Sequence, residues 1–361
     1  MPEWLADLML RRDKRVLSRF VYYYRELRQR PRRWRRLLRR KLALTVTGAA
    51  LLLALAGGPI AAGSVLAESI DTNATIAVVN GEVGINDNGQ CSLVEALINA
   101  NATSAGQLYD DCQAGNLSGA DTVSLPNNGV FEEISQYNSD SDYWAGLPVI
   151  SSIVTIDGNG SRIDGMSQYR VLAVDSNGNL TLRDTTITGG YAYYHNGGGI
   201  YSKGELTVEG STIRDNLAGE GGGIYAEQAT VIDSVISDNT LDSIYSDFME
   251  GGGISANILL VENSTISGNF ADGGGGISAH EATISGSRIV DNAATYSYGG
   301  EGGGIKAWNL TLTDSVVVDN IARSGMGYGG SGGGVHMNSG TISGSTIMGN
   351  VAETGSEYHS G

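Results

Sequence analysis

From about residue 179 onward, apolar and polar positions alternate in short runs that return at a nearly constant interval. A Gly-Gly-Gly-[Ile/Val] motif ends at Ile200, Ile224, Ile254, Ile277, Ile305 and Val335, and an Asn preceded by Asp or Gly recurs at Asn216, Asn239, Asn269, Asn292, Asn320 and Asn350. From each motif to the next Asn the distance is 16 residues once and 15 residues five times; from each Asn to the next motif it varies from 8 to 15. A fixed segment alternating with an elastic one describes a rigid stacked wall whose variable loops leave at one corner. The fixed segment alternates with period 2, as strands require. Aligned on the Asn, its apolar positions superpose: Leu206, Ala229, Leu259, Ala282 and Leu310; Val208, Val231, Val261, Ile284, Leu312 and Ile342; Ile213, Ile236, Ile266, Ile289, Val317 and Ile347. Leu180, Leu182 and Ile187 start the same columns one turn earlier. A repeat this short leaves no room for a helix-strand unit, and the Leu-x-x-Leu-x-Leu signature of the rival solenoid is absent. The pattern predicts an all-β chain wound as a right-handed parallel β-helix, apolar columns inward and each strand paired above and below.

Two polar columns fit the same coil. Ser211, Ser234, Ser264, Ser287, Ser315 and Ser345 fall five residues before the recurring Asn. Stacked Asn side chains can hydrogen-bond to one another and to unpaired turn backbone, so Asn216, Asn239, Asn269, Asn292, Asn320 and Asn350 are expected to form a structural ladder. The alternative is a row of Asn and Ser facing sugar hydroxyls. The triple Gly suits positive φ and close backbone approach. It is no phosphate loop, because no Gly-Lys-[Ser/Thr] follows.

The beginning of the chain reads differently. Residues 1–41 hold 15 of the 23 Lys and Arg, and residues 42–67 carry no charge, the order of a secretory signal. Small residues near Ala67 predict cleavage there, with a retained membrane anchor as the alternative. The remainder has 8 basic and 35 acidic residues, a net of −27, which disfavours nucleic acid as a partner. Cys91 and Cys112 are the only cysteines, and an even pair in an exported chain reads as a disulfide. Residues 68–148 are expected to cap the coil of residues 149–361, with Ser92-Leu93-Val94-Glu95 as a capping box opening a short amphipathic helix. The last rung ends without a recognisable cap, so two expectations stand side by side: a coil that continues past residue 361, or an end at Gly361 that self-associates or frays.

Cys91-Ser92-Leu93-Val94-Glu95-Ala96-Leu97, with Ala100-Asn101, Cys112-Gln113-Ala114-Gly115 and Asp121-Thr122-Val123-Ser124-Leu125-Pro126, resembles the Cys-Ser-Leu-Arg-Glu-Ala amino-terminal module of bacterial exported β-helix proteins. Val94 stands where that module has Arg. The Gly-Gly-Gly-Ile and Asp-Asn rungs are similar to the repeats of polymorphic outer-membrane proteins. The resemblance covers about residues 73–361 and implies export, to the outside of the cell or its surface, more than any reaction.

Two functions follow as expectations. The first is a non-catalytic surface or secreted protein that binds an extracellular polysaccharide or a surface protein through its variable corner. There Tyr191, Tyr193, Tyr194, Tyr245, Phe248, Tyr296, Tyr298 and Tyr328 supply aromatic faces beside acids such as Asp242, Asp247, Glu250 and Glu301. The plainer reading of these tyrosines is that they cover Gly-rich backbone. The second is a polysaccharide lyase or glycoside hydrolase of the pectate-lyase-like architecture. Its candidates are Asp215 and Asp238, and Asp291 and Asp319, paired on consecutive turns, with Arg214 nearby and Ca²⁺ as a possible shared cofactor. The plainer reading is that each Asp stabilises its turn. His195, His280 and His336 share no repeated motif, no nucleophile-base pair stands out, and the few cations argue against a basic cleft; the sequence therefore leans away from catalysis.

Overall fold

A computed structural model describes residues 74–101, 109–116, 120–132, 137, 143–241, 249–296, 299–324 and 329–354. The signal-like residues 1–67 lie outside them. The described residues wind into a right-handed parallel β-helix, with strands paired from coil to coil in one large sheet and a second, seven-stranded sheet at the variable corner.

One rung shows how the sequence makes the coil. Its long strand, Ile224–Ile232, points Ile224 and Ala226 inward, turns two consecutive residues outward at Glu227 and Gln228, and resumes with Ala229 and Val231 inward. That double outward step bends the strand and lets one segment serve two walls. Val235–Ser237 buries Ile236, and Thr240–Leu241 buries Leu241, closing the circuit. The registers align the columns expected from sequence: Leu206, Ala229, Leu259, Ala282 and Leu310, then Val208, Val231, Val261, Ile284 and Leu312. Fully burying each such aliphatic side chain contributes about 1.5–3 kcal/mol, and the columns form one continuous core from Ile76 to Val317.

Two polar ladders hold the turns. Asn239 Nδ2 donates to Asn269 Oδ1 (3.0 Å) and to the Ile213 carbonyl (3.0 Å), while its own Oδ1 accepts from the Asn216 amide and backbone N–H (2.9 and 3.1 Å). Asn269, Asn292 and Asn320 repeat this bonding, and all are almost fully buried. The Ser ladder works through the backbone instead: Ser211 N–H donates to Ser234 Oγ (3.1 Å), which donates to the Ile232 carbonyl (2.6 Å). These contacts satisfy turn groups that the strand pairing leaves over.

The triple Gly has three separate causes, seen at Gly251 to Gly253. Gly251 needs a φ of +71°; a Cβ on Gly252 would lie 2.4 Å from the Phe270 carbonyl oxygen; one on Gly253 would lie 3.0 Å from Asn269 Nδ2. The glycines therefore let the corner pack against the Asn ladder.

The amino-terminal module joins the same coil. Its helix α1, Leu93–Ala100, has Ser92 as N-cap with both halves of the capping box, and buries Leu93, Val94 and Leu97. Val94 is thus a core residue here, which suits an apolar side chain at the position where the resembling module carries Arg. Cys91 and Cys112 form the expected disulfide. Thr75–Ala77 pairs with Asp121–Ser124, and that strand pairs with Ile153–Asp164, so the module adds its own rungs to the wall and shares its core. Asn101 ties the end of α1 to the first full coil, donating to the Val149 carbonyl (2.8 Å) and accepting from Ser151 N–H (2.9 Å).

Candidate functional site

The inward columns repeat the same chemistry, and so does one outward column: Thr181, Thr207, Thr230, Leu260, Thr283, Thr311 and Thr341 stack in register. The wall formed by the first half of the long strands departs from this monotony. Its outward column runs Tyr201, Tyr225, Ser255, Ser278, Lys306 and His336. Two residues further along each strand stand Lys203, Glu227, Asn257, His280, Trp308 and Asn338. A third column, just before each triple Gly, runs Glu220, Glu250, Gly273, Glu301 and Ser331. Apart from Tyr201, Lys203, Gly273 and Ser331, these residues line a cleft of ≈ 780 Å³. In the sequence, Glu250 and Glu301 directly follow two of the segments of variable length.

Gly273 leaves a gap in the acidic column, and the Lys306 side chain occupies it. Its Nζ lies 2.6 Å from Glu250 Oε1 and 2.8 Å from Glu301 Oε2. Burial alone would lower the Lys306 pKa, but the hydrogen bonds and charges of these two carboxylates outweigh it and raise the value. Ser278 Oγ donates to the other oxygen of Glu250 (2.5 Å), so that carboxylate is held on both sides. Glu220, one rung earlier, has a different setting. It accepts from Asn196 Nδ2 (3.2 Å), and burial, followed by the charge of Glu250, pushes its carboxyl above the ordinary Glu range.

Aromatic groups flank these acids. Tyr201 and Tyr225 stack at 5.5 Å on one side. On the other, Trp308 is 59% exposed and stacks nearly parallel on His280. Beyond Tyr201 lies Arg170, 1% exposed, whose Nε and Nη2 donate to the Asn196 and Gly197 carbonyls while Cζ sits 4.7 Å from the Tyr201 ring centre. Among the described residues its Nη1 has no hydrogen-bond partner, and burial lowers its pKa to about 10.

The residues expected from sequence lie elsewhere. Asp215, Asp238, Asp291 and Asp319 stack at one turn with φ of 55–56°, and Gly189, Gly268 and Gly349 occupy the same column with φ of 61–67°. The position demands left-handed backbone, which Asp tolerates and Gly prefers, so conformation accounts for the Asp-Asn motif. Arg214 pairs with its neighbour Asp215 at the exposed surface. Among the described residues no group of three or more His, Cys, Asp and Glu side chains is placed to hold a metal ion. Tyr191, Tyr193 and Tyr194 cluster at the corner of the first repeated rung, with Tyr191 and Tyr193 ring centres 5.8 Å apart, whereas Tyr296 lies four strands along that sheet. Tyr245, Phe248, Tyr298 and Tyr328 lie outside the described residues.

The cleft residues Glu220, Tyr225, Lys306 and Trp308 escaped the sequence reading because it followed what repeats, and His280 and His336 were set aside by it for sharing no repeated motif. The usable signal was the reverse: positions at fixed offsets from the triple Gly where the residue changes from rung to rung. No family model matches the chain, and no curated protein or solved structure is significantly similar to it.

Proposed function

We propose that this chain is an exported β-helix scaffold that binds an extended saccharide chain lying along the cleft, across successive rungs. The observation that carries this reading is the wall on which chemically varied side chains replace a monotonous column, with a broadly exposed Trp308 braced on His280. An exposed indole face beside Ser, Asn and Glu hydrogen-bonding groups suits the apolar face and hydroxyl rim of a sugar ring. Export is supported by the basic-then-apolar amino terminus and by the disulfide. The cleft lining carries Glu220, Glu227, Glu250 and Glu301 against Lys306, so neutral or amino-bearing glycans fit its charge and polyuronates do not. That charge gives no support to uronate elimination.

A glycan array probed with the protein, with and without Ca²⁺, tests the reading. Trp308→Ala should weaken binding to the recognised glycan by about tenfold, the effect of losing roughly 1.4 kcal/mol of stacking. Binding to no neutral or amino-bearing glycan would refute it, as would a Trp308→Ala protein that binds as tightly as the parent.

A further inference from the structure

Glu220 and Glu250 are consecutive members of one column, their backbones linked where Gly221 N–H donates to the Glu250 carbonyl (3.1 Å). They lie about one strand spacing, ~4.8 Å, apart along the coil axis. Their surroundings differ in kind. Glu250 is a salt-bridged carboxylate with Lys306 on one oxygen and Ser278 on the other. Glu220 is half-buried, faces Tyr225, and accepts a hydrogen bond from the neutral Asn196 amide. Asn196 is in turn held by the buried Arg170, through hydrogen bonds to its carbonyl. A half-buried carboxyl group with a neutral hydrogen-bond donor beside one held by a lysine ammonium and a serine hydroxyl is the pattern of an acid and a nucleophile.

Resting on the glycan reading above, we propose that the cleft hydrolyses a glycosidic bond of a neutral or amino-bearing polysaccharide, with Glu220 as proton donor and Glu250 as nucleophile. A sugar ring next to the scissile bond falls on Tyr225, and the saccharide continues along the coil axis to the His280–Trp308 platform, two to three rungs or ~10–14 Å further on. Glu220 passes its proton to the bridging oxygen as the bond from that oxygen to the anomeric carbon breaks. A Glu250 oxygen bonds to the same carbon, giving a glycosyl ester and releasing the first product as an alcohol. Water then attacks the anomeric carbon, Glu220 takes its proton, and the ester bond breaks to restore the Glu250 carboxylate. The net change is one water consumed and one new reducing end. Side chains that leave one column from consecutive rungs start ~4.8 Å apart, which favours the close carboxylate pair of double displacement, about 5–5.5 Å, over the ~6.5–9.5 Å of single displacement, so retention of configuration is the expected outcome. Burial and the Glu250 charge, which favour the protonated form of Glu220, agree with its role as donor.

The test incubates the full chain with β-1,4-glucan, xylan, mannan and chitosan oligosaccharides and with polygalacturonate. It measures binding, new reducing ends and the anomeric configuration of the product. The expected result is turnover of at least one neutral or amino-bearing chain with retention, and none of polygalacturonate. Glu220→Gln should lower kcat by about 10²–10⁴-fold while Kd changes by less than threefold. A 2-fluoro glycosyl fluoride of the sugar that is turned over should label the parent protein at Glu250, read by peptide mass spectrometry, which does not depend on any variant folding. Binding without turnover, inversion of configuration, label on another residue, or full activity in Glu220→Gln would each overturn the proposal and leave the binding function standing. Failure to bind any of these chains would overturn both.

Discussion

Replacing Asn269 by Leu tests whether the Asn ladder holds the coils together. The Asn269 side chain makes four hydrogen bonds: Oδ1 accepts from the Asn239 backbone N–H and amide, both at 3.0 Å, and Nδ2 donates to Asn292 Oδ1 (2.9 Å) and the Ile236 carbonyl (3.0 Å). Leu has similar volume and no polar atom, so two buried donors on Asn239 lose their acceptor. At about 1–3 kcal/mol for each stranded group, the loss is roughly 2–6 kcal/mol. For a domain of this size, with about 2–4 °C of Tm per kcal/mol, the expected drop is on the order of 5–20 °C by circular dichroism at 218 nm. Asn350→Leu is the internal control. Asn350 accepts from Asn320 in the same way, but its Nδ2 donates to the Val317 and Met348 carbonyls and it is only half-buried, in a rung where Ile347 is 44% exposed, so water can replace the lost acceptor there. The cost at Asn350 should be about 1 kcal/mol or less. An unchanged melting temperature in Asn269→Leu, or equal losses in the two variants, would refute the ladder as a source of stability.

Other perturbations probe the cleft, the corner and the glycines. Because the folded state raises the Glu220 pKa, the native protein holds that proton at pH values where the unfolded chain has lost it, and stability falls as pH rises through that range. Glu220→Gln should therefore be more stable than the parent at neutral pH and indistinguishable from it below the unfolded Glu value, about pH 4.3, in urea titrations across pH; a gain that persists in acid would show another cause. Deleting residues 242–247 should leave the β-type circular dichroism and the melt nearly unchanged, since closure entropy varies slowly with loop length and neighbouring rungs manage with shorter links; loss of the β signal would place that segment in the wall. Gly252→Ala, whose Cβ would meet the Phe270 carbonyl at 2.4 Å, should destabilise clearly, whereas Gly84→Ala, with open space around it, should be close to neutral when both melts are compared.

The coil was legible in the sequence because its interior asks the same question at every rung. Leu206, Ala229 and Leu259 recur at one offset from the ladder Asn since each fills the same slot between the same walls, and Asn216 to Asn320 recur since each meets the same stranded turn groups. Ser92 with Glu95 and Cys91 with Cys112 were legible as local or paired signals of known chemistry. The cleft was not. Glu220, Glu250 and Glu301 each stand just before a triple Gly, but Gly273 and Ser331 hold the same offset in other rungs, so the position showed no repeated residue, and the pairing of coils is what puts the three acids in one column. Lys306 reaches both Glu250 and Glu301 only because Gly273 leaves its rung without a side chain between them. Asp215 and Asp238, conversely, looked chemical because they repeat, and they repeat because left-handed backbone accepts few residues. Periodicity in a solenoid reports the requirements of stacking; the side chains that face a ligand are those stacking leaves unconstrained, and only the tertiary register brings them together.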